Sequence, residues 1–227
     1  MLVKDIMTKS VVAIGPDMPI SDVYALMEQR NIRHFPILEV ASTNAASSQL
    51  VASGANASSR LIGIVSDRDI RAVGSEIPSL KKLAGIKDPV KTIMTPSVIT
   101  AHPFDAVEES ARMLRQHRIG AMPVMEDDRL VGIVTSTDFL EALTKMTGVY
   151  EASSRLEVEV DNRPGALASL ATAISRRGVN ISSVLTNYKD AETLSFVLRA
   201  DTIDGRGLAR ALRGEGFSVL WPPDKEA

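Results

Sequence analysis

The sequence predicts a mixed α/β (α+β) protein made of two copies of a β-α-β-β-α unit followed by one β-α-β-β-α-β unit. Three observations carry this. A ten-residue stretch returns 87 positions later with seven identities, a Gly-Ile-Val strand ends both times in a hydroxyl-x-x-Asp pattern, and the periodicity changes character beyond Ser154. Composition agrees: 227 residues with 44% hydrophobic and 24% charged side chains describe folded domains and exclude a disordered chain or a rod.

The first copy opens with a short Val/Ile strand, and the apolar residues Ile20, Val23, Tyr24 and Met27 read as one face of a helix. Phe35–Leu38 and Leu61–Val65 read as further strands, and a closing helix follows Ser66. The second copy starts with Val90-Lys-Thr-Ile-Met-Thr, matching Val3-Lys-Asp-Ile-Met-Thr, and keeps the offset of 87 through Pro123. Asp105 and Glu108 are spaced as a capping box for its first helix. At the second Gly-Ile-Val the offset falls to 69, so the first copy carries 18 extra residues within 41–60. That stretch is rich in Ala, Ser and Asn, and a flexible hairpin extension is expected there.

Beyond Ser154, Arg155–Val160 alternates as a half-buried strand, and Leu167, Leu170, Ala171 and Ile174 recur at helical spacing. Asn180–Leu185 and Thr193–Leu198 form a hairpin around Lys189-Asp190, Gly205–Leu212 is a helix and Phe217–Leu220 a last strand. This order is that of a ferredoxin-like sandwich.

Charge and cysteine content exclude several functions. With 26 basic against 28 acidic side chains no broad basic surface exists, so nucleic-acid binding is disfavoured. No cysteine is present, which removes thiolate nucleophiles, disulfides and Cys-based metal centres and fits a cytoplasmic location. No apolar run is long enough to span a membrane. A hydrolase or transferase needs a nucleophile with its base, paired carboxylates or a metal cluster, and none of these constellations is evident. The chain is therefore read as a non-enzyme without a cofactor. A nucleotide-converting enzyme and a ligand-responsive DNA-binding regulator are the alternatives.

The sharpest chemistry lies in Gly63-Ile-Val-Ser66-Asp-Arg-Asp69 and Gly132-Ile-Val-Thr135-Ser-Thr-Asp138. Ser66 with Asp69, and Thr135 with Asp138, have the spacing of a helix capping box. The same geometry offers a hydroxyl and free N–H groups to an anion and a carboxylate to a ribose. These doubled motifs, with the Ile-Met-Thr opening and the Pro-Ile or Pro-Val strand, resemble tandem CBS domains, the Bateman module, over residues 1–146. The resemblance implies a sensor whose clefts take AMP, ADP, ATP or S-adenosylmethionine. It assigns ribose contacts to Asp69 and Asp138, phosphate-side contacts to Ser66 and Thr135, and further phosphate contacts to Arg33 and His34. Gly15 and His102 match positions that approach the ligand in that family. The second copy has Gly120-Ala121 where the first has Arg33-His34, which argues against two equal sites.

Asp161-Asn-Arg-Pro-Gly-Ala-Leu167, followed by Gly178-Val-Asn-Ile181, resembles an ACT domain over residues 153–221. That resemblance implies a regulatory unit that pairs with its own kind and often holds an amino acid at Asn162, Arg163, Pro164, Gly165 and Asn180. The expected domains are thus 1–75 (first CBS domain, with the insertion 41–60), a linker 76–89, 90–148 (second CBS domain) and 153–227 (ACT domain). A homodimer or dimer of dimers and an unidentified protein partner are expected, and the domain order is similar to the acetoin-utilisation, AcuB type of regulator.

Overall fold

The computed structural model describes residues 1–40, 49–52, 59–73 and 84–224, and it divides into two units, Met1–Leu140 and Glu141–Ala227. In the first unit the elements are α1 (Val3–Ile6), β1 (Val11–Ile14), α2 (Ile20–Arg30), β2 (His34–Val40), β3 (Gln49–Ala52), β4 (Ser59–Ser66), α3 (Asp67–Arg71), a 3-10 turn at Val90–Thr92, α4 (Val107–His117), β5 (Ala121–Glu126) and β6 (Arg129–Thr135). Helix α5 (Ser136–Met146) runs across the boundary.

The first copy forms a sheet in the order β3-β1-β2-β4, with β1 parallel to β2 and the other pairs antiparallel. Part of the insertion is therefore a strand, since Gln49–Ala52 pairs with Val11–Ile14, where a flexible extension was expected. Residues 41–48 and 53–58 of that insertion, the last two residues of the expected first domain (74–75) and 76–83 of the expected linker lie outside the described residues. In the second copy β5 and β6 form a hairpin whose two turn residues, Asp127 and Asp128, have φ of 48° and 61°, as a type I′ turn requires. The counterpart of β1 is reduced there to one parallel bridge, Ala101 with Val124.

The two copies are threaded through each other. Thr8 of the first pairs with Ile133 of the second, and Thr95 of the second pairs with Ile64 of the first, each through two backbone hydrogen bonds of 2.9–3.1 Å. The openings obey the same symmetry: Val3 N–H donates to the Asp105 carbonyl and Val90 N–H to the Met18 carbonyl. The core around Ile14, Ile20, Val23, Leu26, Met27, Phe35, Ile37 and Val65 accordingly takes in Val90 and Ile93 from the second copy. Each such side chain contributes roughly 1.5–3 kcal/mol on burial, so the first copy has no complete core without the second. The helix face differs slightly from the expected one, because Leu26 is buried while Tyr24 remains 46% exposed.

The second unit contains β7 (Ser154–Asp161), α6 (Ala166–Ser175), β8 (Ile181–Tyr188), β9 (Thr193–Ala200), α7 (Gly205–Gly214) and β10 (Ser218–Trp221). Its antiparallel sheet has the order β10-β7-β9-β8, the ferredoxin-like arrangement that the sequence predicts. Leu156, Val158, Phe196 and Leu198 on the strands pack with Leu170 and Ile174 of α6 and Leu208 and Leu212 of α7. Leu167, expected on the buried stripe of α6, is exposed, and Ala173 takes that place. The Asp204 carboxylate caps α7 by accepting the Gly207 N–H at 2.8 Å.

Candidate functional site

At the junction of β4 and α3, Ser66 takes an extended conformation and the chain turns into the helix. The Ser66 hydroxyl accepts the Asp69 N–H at 3.3 Å, while the Asp69 carboxylate accepts the Ser66 N–H at 2.9 Å and its hydroxyl at 2.7 Å. This is a closed capping box. In its repeat counterpart the Asp138 carboxylate accepts the Thr135 N–H and hydroxyl, both at 2.7 Å. A carboxylate offers about four acceptor positions, so two local bonds on one oxygen leave a further donor compatible with this geometry.

The first of these boxes opens onto a cavity of about 520 Å³, a size suited to a small organic ligand. Four segments line it: Arg33-His34 at the start of β2, Ile64 with Ser66–Asp69, Thr95 with Ser97–Ile99, and Arg118–Ala121. Two come from each copy, so the threading of the openings assembles the cavity. Thr135 and Asp138 do not line it, and neither do Gly15 and His102.

His102 instead shapes a local turn. Its N–H donates to the Asp105 carboxylate at 2.7 Å and its Nδ1 accepts the Phe104 N–H at 3.3 Å. Asp105 is thereby drawn away from the expected capping box, and Ala106 occupies the N-cap of α4 without a side-chain bond.

His34 is half-buried against the other copy. A Cβ on Gly120 would lie 2.8 Å from its Nε2, so a larger residue there would displace the imidazole. Burial is the main influence on His34 and lowers its pKa from 6.5; Asp67 and Asp69 pull it upward, and Arg33 adds to the lowering. The folded protein therefore holds fewer protons at His34 than the unfolded chain does. Its contribution is fully present above about 6.5 and is lost as pH falls through the folded pKa. A melting series from about pH 8 to pH 5 should show a decline in the wild type that His34→Gln reduces. Parallel curves for the two proteins would contradict this.

Sequence reasoning named Arg33, His34, Ser66 and Asp69, which the structure brings together, and missed Thr95, Ser97–Ile99 and Arg118. The only available signal for these was the repeat itself, since Thr95 matches Thr8 and Arg118 matches Asn31 at the offset of 87. Nothing local says that one copy's opening reaches the other's cavity.

In the second unit the Asn162 amide donates to the Ala191 carbonyl at 3.2 Å and Arg163 lies 3.5 Å from Asp161. The turn through Pro164 ends at Gly165, whose φ of 87° suits glycine and sets the start of α6. The Asn180 amide donates to the Asp201 carboxylate at 2.9 Å. A cavity of about 370 Å³ in this unit lies elsewhere, between Ser154-Arg155, Ile203–Arg206 and Trp221-Pro222. Among the described residues no group of three His, Asp or Glu side chains is placed to hold a metal ion, and no helix is long and apolar enough to cross a membrane.

Comparison with known proteins places these parts. The CBS domain family model matches residues 3–44 and 90–145, and the ACT domain model matches residues 154–216. A CBS domain-containing protein of Bacillus subtilis, YhcV, is 26% identical over 163 residues, which span 70% of this chain and 96% of that protein. L-aspartate semialdehyde sulfurtransferase of Methanocaldococcus jannaschii is 31% identical over 138 residues, 60% of this chain and only 22% of that protein. A crystal structure of a protein assigned to acetoin utilization (AcuB) from Vibrio cholerae matches at 29% identity and a TM-score of 0.50, covering 68% of this chain and 98% of that one. The CBS domain pair of protein MJ0100, crystallised with 5′-methylthioadenosine and S-adenosyl-L-methionine, matches at 29% identity and a TM-score of 0.49, covering 64% and 97%.

Proposed function

The chain is a tandem CBS-domain protein with a C-terminal ACT domain, and from this premise we propose that it is a non-catalytic sensor that binds an adenosine nucleotide between its CBS domains. The observation that carries the reading is one cavity lined by an acidic residue, Asp69, together with three arginines, Arg33, Arg68 and Arg118. Asp69 is the acceptor for the ribose hydroxyls, the Ser66 hydroxyl and the start of α3 face the phosphates, and Arg33 and His34 sit at the phosphate end. Val98 and Ile99 supply an apolar wall for the base.

The ACT domain is read as a second input, an amino acid whose carboxylate meets the N–H groups at the start of α6 beside Gly165. The cytoplasmic setting, control of the chain's own assembly and control of a metabolic partner belong to the same proposal. The coupling follows from the threading, because a ligand that contacts both CBS copies stabilises one relative arrangement of them.

Calorimetry and thermal shift with AMP, ADP, ATP, S-adenosylmethionine and the twenty amino acids, with light scattering on the free and loaded protein, test this. At a ligand concentration a hundredfold above Kd the native state should gain about 2.7 kcal/mol, read as a rise in melting temperature. Absence of heat with every adenosine ligand at millimolar concentration, or steady turnover of one of them, rejects the sensor reading.

A further inference from the structure

Resting on that reading, we propose that the cavity selects phosphate-bearing adenosine ligands over sulfonium ones, and that Arg118, supplied by the second CBS copy, is a specificity-determining residue. Three arginines line the space, Arg33, Arg68 and Arg118. The carboxylates that share it have local engagements: Asp67 is 2.9 Å from Arg71, and Asp69 closes the capping box. The excess rests on the arginines alone, because burial lowers the pKa of His34 and favours its uncharged form. The cavity therefore presents excess positive charge. A phosphomonoester brings about two negative charges at pH 7 and strong acceptor oxygens, matching guanidinium donors. S-adenosylmethionine brings a sulfonium and an ammonium against one carboxylate, and these are repelled.

Arg118 is singled out by its backbone. It follows the last residue of α4 with φ 56° and ψ 39°, in the left-handed region. The matching position of the first copy, Asn31, has φ 52° and ψ 42° and carries a residue type that tolerates this region well. In the second copy the chain holds an arginine where asparagine or glycine suits the backbone better. Its guanidinium is the feature that an asparagine would not supply, and Arg118 lines the cavity from the copy that lacks an Arg-His pair.

The test is calorimetry on the full chain with ATP, adenosine and S-adenosylmethionine, for the wild type, Arg118→Asn and Arg118→Lys. The wild type should bind ATP at least about tenfold more tightly than either of the other two, the factor for one charge-assisted hydrogen bond. In Arg118→Asn that preference should shrink by about tenfold while adenosine affinity is retained, and the ligand-free melting temperature should hold or rise. Arg118→Lys should keep most of the preference for ATP. An ATP-to-adenosine ratio unchanged in Arg118→Asn, or S-adenosylmethionine binding as tightly as ATP, overturns this inference and leaves the sensor reading standing. Absence of binding by all three ligands overturns both.

Discussion

Asp69→Ala should weaken adenosine-nucleotide binding by about ten- to a hundredfold, whereas Asp138→Ala should leave that affinity almost unchanged. Both carboxylates bind back to the start of their helix in the same way, accepting the N–H and hydroxyl of the preceding Ser66 or Thr135 at 2.7–2.9 Å. Removing either should therefore cost a similar amount of stability, about 0.5–2 kcal/mol. Only Asp69 also lines the cavity. The pair of variants thus separates capping from ligand contact, since equal losses of stability with unequal losses of affinity are expected. Chemical denaturation gives the first quantity and calorimetry the second. Should both variants bind as the wild type does, the two residues are caps and the ribose is held elsewhere.

Gly132→Ala should destabilise the first unit by about 1–3 kcal/mol, and Met7→Ala in the same chain should return part of that loss. A Cβ at Gly132 would stand 2.5 Å from Met7 Sδ, 3.0 Å from its Cγ and 3.3 Å from its Cβ. At Gly63 the clash is the same by symmetry, 2.5 Å from Met94 Sδ, with the Thr95 carbonyl behind it at 3.2 Å. Each glycine is the seat for the methionine of the other copy's Ile-Met-Thr opening. The adjacent Thr8–Ile133 hydrogen bonds of 3.0 Å hold the two backbones together, so the methionine has little room to retreat. A urea-denaturation cycle of the two single variants and the double variant measures the coupling, for which about 0.5–3 kcal/mol of relief is expected. Strict additivity would mean that the opening does not dock there in solution.

Why some of this was legible before the structure, and some not, follows from the range of the interactions. The Ser66–Asp69 and Thr135–Asp138 pairs are read directly because donor and acceptor lie three residues apart. The edge strand at Gln49–Ala52 was missed because its four residues gain their order from pairing with β1, which local composition does not report. Tyr24 and Leu167 sit near the rim of their helical stripes, where period alone does not decide which side of the boundary a residue takes.

By itself the sequence determined the two repeated units, the alternation that makes the last unit a ferredoxin-like sandwich, and the Ser66–Asp69 and Thr135–Asp138 caps, because each rests on periodicity or on bonds between near neighbours. Tertiary structure alone decided that Met7 seats on Gly132 and Met94 on Gly63, that His34 fits against Gly120, and that Arg118 joins Arg33 and Asp69 around one cavity. Those pairings join residues far apart in the chain. They are chosen by which apolar opening completes which core, a choice between two near-identical copies that neither copy's residues make alone.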